Sequence, residues 1–451
     1  MSQSSLFQLP ADLNPAQSQD QLQGRGRPRF QPAQRDQVEF QLFALDELIP
    51  DDHPVRAVWD FVQAADLSVL YDRIKAIEGR PGRDPVDPRI LMALWLFATT
   101  EGVGSARQLE RLTERDVVYR WICGGVSVNH RLLANFRTGH AEWLDGQLTA
   151  SVAVLMEAEL VTLNRVSQDG MRVRASAGKS SFRRQPTLEE HLAIATEQVN
   201  RLRDELETDP AASSNRCAAA KKRAAEDREQ RVRQALVEVE KVKAQREARN
   251  RGDESPPRAS TTDPEARTMK MGDGGFRPAY NLQFATAGDS LVVVGVDVNN
   301  QGSDGGLMDP MVAQVEGRYD ETPKEWLADG GFSTTDDIEA VAGRGTTVYT
   351  PVKDADKKKK KGLDPFQPLP SDTPKLAEWR TRMGTEESKK IYQGRSASVE
   401  CVNAHTRNRR LWQFPVRGLA KVRTVALWHA LAHNIVCGVR LRARKAVVAM
   451  V

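Results

Sequence analysis

The spacing of the hydrophobic residues divides the chain into a helical first part and a strand-rich second part. From about residue 38 to residue 161, apolar residues recur every three or four positions, as in PRILMALWLFATTEG and LDGQLTASVAVLMEAELV. This spacing predicts amphipathic helices. Beyond residue 161 the period changes to two in NRVSQDGMRVRASA, and residues 291–298, LVVVGVDV, form a continuous apolar run. Such a run is typical of a strand that is buried on both faces.

Helices and strands alternate after this run. The pattern predicts a helix in GGLMDPMVAQVEG, a strand ending at WLADGG, a helix that begins near Ser333 or Thr334, a strand in TTVYTPV and a last helix near Tyr392. The sequence therefore predicts a mixed α and α/β fold. A helical N-terminal domain (38–161) would precede a mixed sheet core, built from residues 162–183 and 262–446.

Two segments interrupt the core. Residues 184–261 are highly charged and have apolar residues at spacings of four and three, which predicts a helical hairpin packed as a coiled coil; these residues are Leu188, Leu192, Ala195, Val199, Leu202 and Leu206. Thr187 and Glu190 have the spacing of a capping box at its start. Whether this insertion pairs within one chain or between two is left open by the sequence. Residues 354–380 contain five consecutive lysines and four prolines and are expected to form a loop.

One part of the helical region has the outline of a helix-turn-helix. SARQLERLTERDVVYRWICGG is followed by SVNHRLLANFR, where Ser127 is the expected cap of a short basic helix. A helix in this position reads the major groove in many DNA-binding proteins. Two helices joined by a glycine turn are also common in ordinary helical domains, so both interpretations stand.

The N-terminal residues 1–37 are polar, rich in Gln and Pro, and carry the basic sequence GRGRPR. We expect a disordered arm there, because this composition cannot bury an apolar core. No stretch approaches the ~18 apolar residues of a membrane span. The four cysteines have no spacing typical of a zinc site. These features predict a reduced, cytoplasmic protein without a membrane partner.

The charge is almost balanced overall, with 65 Lys and Arg against 61 Asp and Glu, but it is unevenly distributed. Residues 392–451 contain eleven basic residues and a single acid, Glu400. A similar isolated acid, Asp169, lies beside Gly170 in a predicted strand that is otherwise basic. A basic segment of this kind attracts phosphate.

A third acid, Asp329, follows a predicted strand directly, where α/β sheets commonly place their sites. Taken singly, Asp169, Asp329 and Glu400 are each typical of structural ion pairs. Taken together, they can converge on hard divalent cations, which prefer oxygen ligands. Glu400, Asn403 and Arg407 share one face of an ideal helix, so a metal ligand and a phosphate-binding cation would lie side by side.

Several motifs in this order resemble a known family. They are the DG at Asp169, the ADGGF at Asp329, and YQGRSASVECVNAHTRNRRLWQFPVRGLAKVRTVALWHALAHN at residues 392–434. Together they resemble the bacterial insertion-sequence transposases of the DDE type that carry a Tyr-Arg-Glu-Lys signature. The helical region, with DELIPDDHPVRAVWDFV and RQLERLTERDVVYRWICGG, is similar to the N-terminal domain of these proteins. The resemblance extends from about residue 38 to about residue 441.

The resemblance implies a ribonuclease H-like core in which Asp169, Asp329 and Glu400 bind two Mg²⁺ ions, with Mn²⁺ as a substitute. Tyr392 and Arg395 fall on the first two signature positions, whereas Arg407 stands where the family has lysine. The partners implied are double-stranded DNA, as transposon terminal inverted repeats and as target, and further copies of the chain. The residues expected to contact DNA are Tyr392, Arg395, Arg407, Arg409, Arg410, Arg172 and Arg174.

The implied activity is cleavage of phosphodiester bonds at transposon ends and transfer of the 3′-hydroxyl strands to target DNA. A standalone metal-dependent nuclease and a non-catalytic DNA-binding protein derived from a transposase are the alternatives. Asp297 and Asp304 also lie near the end of a buried strand, but the ADGGF context favours Asp329, and Asp304 is typical of a turn or a helix cap. His429 and His433 are interpreted as packing or phosphate contacts, because they have no convincing metal spacing.

Overall fold

The computed structural model describes residues 43–76, 84–208, 216–248 and 255–449. The predicted N-terminal arm, residues 1–37, lies outside these residues. Residues 45–451 belong to one compact unit.

The first part of the chain is helical, as the apolar spacing predicts. Within the described residues, a 3-10 turn (Leu45–Leu48) and seven α-helices precede the first strand: α1 (Pro54–Ala64), α2 (Ser68–Tyr71), α3 (Pro88–Thr100), α4 (Ala106–Arg115), α5 (Val117–Cys123), α6 (His130–Gly139) and α7 (Ala141–Glu157). Helix α3 is buried along almost its whole length, which explains why apolar residues occupy nearly every position from Ile90 to Ala98. Asn129, not Ser127, caps α6, because its side chain accepts hydrogen bonds from the backbone N–H groups of Arg131 and Leu132.

The strands of the second part are β1 (Arg165–Arg174), β2 (Phe182–Arg183), β3 (Ala259–Ser260), β4 (Arg267–Lys270), β5 (Phe276–Ala287), β6 (Val293–Asn299), β7 (Glu325–Ala328) and β8 (Thr347–Tyr349). Six of them form the main sheet. Strand β5 pairs in antiparallel fashion with β1, β4 and β6, while β1 pairs in parallel with β7, and β7 with β8. The short strands β2 and β3 pair with each other.

The helices of the second part follow the strands that they cover. They are α8 (Gln185–Thr208), α9 (Arg216–Ala248), α10 (Met308–Tyr319), α11 (Thr335–Gly343), α12 (Ala355–Lys360), α13 (Pro374–Arg382), α14 (Glu386–Arg395), α15 (Cys401–Asn408) and α16 (Leu419–Ala449). A 3-10 turn (Lys179–Ser181) precedes β2, and a π-helical turn (Ser396–Glu400) joins α14 to α15. The predicted cap of α11 is confirmed: the Thr334 hydroxyl accepts from the N–H of Asp337.

A single apolar core joins the helical region to the sheet. The cluster that contains Leu94 and Leu133 of the helices also contains Tyr280 and Val296 of the sheet and Leu431 of α16. Helix α16 packs against α3 and α7 on one side and against β6 on the other. The helical region therefore does not build a core of its own.

Helices α8 and α9 pair with each other within one chain, and Leu188, Val232 and Val239 are buried between them. The turn of this hairpin, residues 209–215, lies outside the described residues. The Thr187 cap is wrong, because α8 already begins at Gln185 and Thr187 lies inside its first turn. Arg184 is the one residue between β2 and α8, and its carbonyl accepts the first helical hydrogen bond, from the N–H of Leu188.

The lysine-rich segment 354–380 is not a loop throughout. Helix α12 contains four of the five lysines, and α13 begins at Pro374 after a cap by Thr373. Within the described ranges, no helix is long and apolar enough to cross a membrane. The mixed α and α/β class is confirmed, and the strand order, with β1 between an antiparallel neighbour and a parallel one, is consistent with a ribonuclease H-like fold.

Candidate active site

Asp169 and Asp329 occupy neighbouring positions on two adjacent parallel strands. The register pairs Gln168 of β1 with Ala328 of β7, so the next residue of each chain segment is an aspartate. Asp329 Oδ1 accepts a hydrogen bond of 2.7 Å from the N–H of Gly331, which holds the carboxylate at the start of the following turn. Strand pairing alone therefore brings together two acids that are far apart in the sequence.

The carboxyl group of Asp169 is largely withdrawn from solvent. Burial raises the pKa of this carboxyl to about 6; the Arg395 guanidinium opposes the rise, whereas the negative charges of Asp329 and Asp304 add to it. Arg395 Nη1 lies 3.9 Å from Asp169 Oδ1, and Asn403 Nδ2 donates a 2.9 Å hydrogen bond to Asp169 Oδ2. Several acids thus share a site with incomplete charge compensation.

Glu400 reaches the same site through an irregularity in the helix. Its carboxylate accepts a 3.2 Å hydrogen bond from Arg395 Nη2, although the two residues are five positions apart. In a regular α-helix a separation of five residues leaves side chains ~140° apart. The π-helical turn Ser396–Glu400 removes this mismatch by widening the helix at that point. Arg395 consequently lies between Asp169 and Glu400 and contacts both.

A pair of buried serines attaches the π-helical turn to the sheet. Ser398 Oγ donates a 2.9 Å hydrogen bond to Ser167 Oγ of β1, two residues before Asp169. Ser167 and Ser398 are both almost fully buried. Each serine lies two positions before one of the acids, so the contact attaches the segment of Glu400 to the strand of Asp169.

Gly170 is required by the packing next to Asp169. A Cβ atom at this position would come within 2.2 Å of Gln283 Nε2 and 2.6 Å of Asp304 Oδ1. Asp304 is itself occupied: Oδ1 accepts from Asn281 and Gln283 at 2.8 Å, and Oδ2 accepts from Arg172 at 2.9 Å. The Asp304 side chain therefore fixes Asn281, Gln283 and Arg172. The sequence indicates only a turn or a helix cap for this residue.

The arginines expected to contact DNA take four different positions, and Arg395 takes the first, between Asp169 and Glu400. Arg174, Arg407 and Arg410 are exposed. Arg172 is directed to Asp304, with only 18% of its side chain exposed, and Arg409 is turned inward, where it donates to His433 Nδ1 at 3.2 Å.

Tyr392 is half-buried beside the site. Its ring lies 5.8 Å from the Arg395 guanidinium carbon. Burial raises the pKa of its hydroxyl, with Arg395 opposing that rise. Tyr392 therefore packs against the arginine that links the two acids.

The oxygen-rich chemistry of the site fits a hard divalent cation. Asp169 and Asp329 repel each other electrostatically, and Asn403 Oδ1 is buried without a hydrogen-bond partner among the described residues. A bound cation would offset the repulsion between the two carboxylates and would give Asn403 Oδ1 a partner. As arranged here, with Arg395 between the acids, the described part of the chain has no group of three or more His, Cys, Asp or Glu side chains close enough to hold a metal ion.

Some residues of the site have no strong signal in the sequence. Asn403 is indicated by its helical spacing from Glu400, but its contact with Asp169 is not. Ser398, Asn281 and Gln283 carry no motif, and each meets its partner across the sheet or from a distant helix. The alternation of polar residues on β5 is the one signal available for the last two.

Two family models match the chain. One is described as Transposase domain (DUF772) and matches residues 43–139, and the other is described as Transposase DDE domain and matches residues 245–435. The second match contains Asp329 and Glu400, while Asp169 precedes it. No curated protein and no solved structure gives a significant match.

Proposed function

Because the chain belongs to the insertion-sequence transposases of the DDE type, we propose that it cleaves phosphodiester bonds at transposon ends and transfers the 3′-hydroxyl strands to target DNA. The observation that carries this proposal is the pairing of β1 with β7, which makes Asp169 and Asp329 neighbours, while Arg395 connects Asp169 to Glu400. Three acids on a strand, a strand end and a helix form the kind of oxygen donor set on which phosphoryl transfer depends.

Asp169, Asp329 and Glu400 would hold two Mg²⁺ ions, or Mn²⁺ in their place. When bound, these ions supply activation of the attacking oxygen and charge stabilisation of the leaving oxygen. Arg395 and Asn403 position the carboxylate of Asp169 through the contacts described above. Ser398 fixes the π-helical turn, and Glu400 with it, to strand β1.

DNA would be held by the exposed arginines around this site. Arg174 at the end of β1, and Arg407 and Arg410 at the end of α15, are free to contact phosphates. Contacts of this type give affinity and orientation without sequence information. Arg407 at the signature lysine position retains the charge and adds the geometry for a bidentate contact.

Transposition joins two DNA ends, so we propose that the protein acts as a homo-oligomer. The hairpin of α8 and α9 supports this proposal, because Ile194 and Val237 remain exposed after the two helices have paired. Exposed aliphatic side chains on a helical arm are suited to contact a second copy.

The decisive experiment compares the wild type with Asp329→Asn. Both proteins are incubated with Mg²⁺ and a duplex that carries the transposon's own ends, and nicked and joined products are separated from binding by gel shift. We expect the wild type to nick and join, and Asp329→Asn to bind without cutting. Asp60→Asn, which removes an exposed carboxylate of α1, is the matched control and should behave as the wild type.

Two other results would indicate the alternative functions. Cleavage of generic DNA without joining would identify a standalone nuclease. Binding without cleavage by the wild type would identify a non-catalytic DNA-binding protein.

A further inference from the structure

A small cavity lies where the helical region meets the connection between α15 and α16. Its volume is about 70 Å³. Trp95 and Trp428 line it, together with Arg137, Arg409 and His429. Three arginines, Arg137, Arg409 and Arg410, and a histidine in one cavity outside the acidic site call for a separate explanation.

Arg137 is a buried cation without an acidic partner. Only 8% of the residue is exposed, and the described residues contain no ion pair for it. Its Nη1 donates to the carbonyl of Gly104 at 2.5 Å, its guanidinium lies 4.5 Å from the centre of the Trp95 ring, and its Nε has no hydrogen-bond partner among the described atoms. A buried charge that is only partly compensated in this way is costly to the folded protein.

Arg409 adds a second positive charge to the cavity, and His429 lies beside it as a neutral imidazole. The described residues contain no ion pair for Arg409 either, and it donates to His433. His429 is 9% exposed, and its Nδ1 has no hydrogen-bond partner in the described structure. Burial lowers the pKa of this imidazole to about 3, and the charges of Arg409 and Arg137 lower it further. Among the described residues, no Asp or Glu lines the cavity.

The cavity opens into a basic groove on the surface. Gly104, Arg137 and Pro415 belong both to the cavity and to a shallow groove between α4 and α6. The groove carries the exposed side chains of Arg107 and Arg131. An anionic chain that follows this groove would pass directly over the mouth of the cavity.

We propose that this cavity, the Arg137 pocket, binds a phosphate group, and that the group is a backbone phosphate of DNA lying in the groove. The phosphate class follows from the charges and the size: a water-sized group needs ~10–15 Å³ of such volume, so a cavity of about 70 Å³ has room for the four oxygens of a phosphate group. The DNA source rests on the proposed function, whereas binding of the anion does not. Phosphate oxygens would accept from the guanidinium groups of Arg137 and Arg409.

The pocket also depends on a close approach of two backbones. Gly102 has a positive φ of 70°, and a Cβ atom there would lie 3.3 Å from the backbone carbon of Arg409. This contact places the loop after α3 against the end of α15. Residues from both regions that the family models match therefore line one pocket.

The test uses the full chain without divalent metal, so it does not depend on catalysis. Binding of inorganic phosphate is measured by titration calorimetry and by the shift in Tm, against chloride at equal ionic strength. We expect phosphate to bind the wild type and raise its Tm, and Arg137→Met to lose roughly tenfold to a hundredfold in phosphate affinity. In chloride, Arg137→Met should melt at or above the wild-type temperature, because a buried unpaired cation has been removed. Arg111→Met, which removes an exposed arginine of α4 outside the pocket, is the matched control and should bind phosphate as the wild type does.

Competition identifies the source of the phosphate. If duplex DNA abolishes the heat of phosphate binding to the wild type, the pocket holds a DNA phosphate. If phosphate binds equally well in the presence of saturating DNA, the assignment to DNA is overturned. If phosphate binds neither the wild type nor Arg111→Met, the pocket proposal itself fails, whatever the result of the cleavage assay. Should Arg137→Met not fold, Arg409→Gln is tested for the same loss of phosphate affinity.

Discussion

Arg395 and Glu400 are five residues apart in the sequence, yet Arg395 Nη2 donates to Glu400 Oε1 at 3.2 Å. The π-helical turn between them makes this contact possible, since one extra residue rotates the helix after it. Arg395 Nη1 also lies 3.9 Å from Asp169 Oδ1, so the same arginine connects Glu400 to Asp169. The geometry of the site therefore depends on a local departure from regular helix.

Deleting Ala397 should test this dependence. The deletion restores α-helical spacing and keeps Arg395 and Glu400 on one face, four positions apart, but it takes a residue out of the turn that Ser398 attaches to β1 and so shifts Ser398 and Glu400 relative to Ser167 and Asp169. We expect cleavage to be lost while helix content by circular dichroism and DNA affinity remain near those of the wild type. Ala397→Ser keeps the residue number and should retain cleavage. Normal cleavage by the deletion protein would show that the wide turn is not needed.

Removing the serine contact should weaken both the fold and the site. Ser398→Ala leaves the buried hydroxyl of Ser167 without its partner, which costs about 1 kcal/mol of unfolding free energy. Because the turn is then less firmly attached to β1, single-turnover cleavage should fall more than DNA affinity does. Ser396→Ala removes an exposed hydroxyl from the same turn and should leave both the urea midpoint and the cleavage rate unchanged.

A methyl group at Gly170 should be poorly tolerated. In Gly170→Ala the new Cβ meets Gln283 and Asp304, which are held in a network of buried hydrogen bonds and cannot move aside freely. We expect a loss of about 1–3 kcal/mol in unfolding free energy by urea denaturation. Gly302→Ala places its Cβ in open space and should cost much less. Equal losses in the two variants would contradict the packing argument.

The raised pKa of Asp169 predicts a particular dependence of stability on pH. Burial raises this pKa from 3.8 to about 6 in the folded protein, so the folded state binds more protons than the unfolded state between these values. The contribution of Asp169 to the free energy of unfolding is therefore present at low pH and is lost as pH rises from about 4 to about 6. Asp169→Asn should remove this dependence and, without metal, be more stable than the wild type at pH 7 by about 1–3 kcal/mol.

Chemical denaturation in metal-free buffer at pH 4, 5, 6 and 7 measures this difference. Asp60→Asn changes an exposed carboxylate and should follow the wild-type pH curve. If Asp169→Asn also follows that curve, the carboxyl group does not titrate as its surroundings indicate.

Local patterns predict much of this fold. The apolar run at residues 291–298 becomes β6, with Val293 and Val296 fully buried, and Thr334 caps α11 as expected. These features depend on neighbours in the sequence, and their physical causes are visible there. The cap of α6 is Asn129, two residues after the predicted Ser127. Both residue types are good caps, and only the path of the preceding turn decides between them.

The remaining features depend on contacts between distant residues. Arg172 has the pattern of a DNA contact, but its partner Asp304 lies 132 positions away, and only the completed sheet brings the two together. The inward turn of Arg409 likewise requires α16 and its His433. The choice of Asp329 over Asp304 rests on motif context in the sequence. In the structure, the oxygens of Asp304 accept hydrogen bonds from three neighbouring side chains.

Helix α16 inserts between the N-terminal helices and β6, and Trp428 of that helix donates to the carbonyl of Arg137. Neither region can therefore be exchanged for a relative's version without reshaping the other. A variant region would have to match Trp428 and its neighbours in size, so the two regions must change together during evolution.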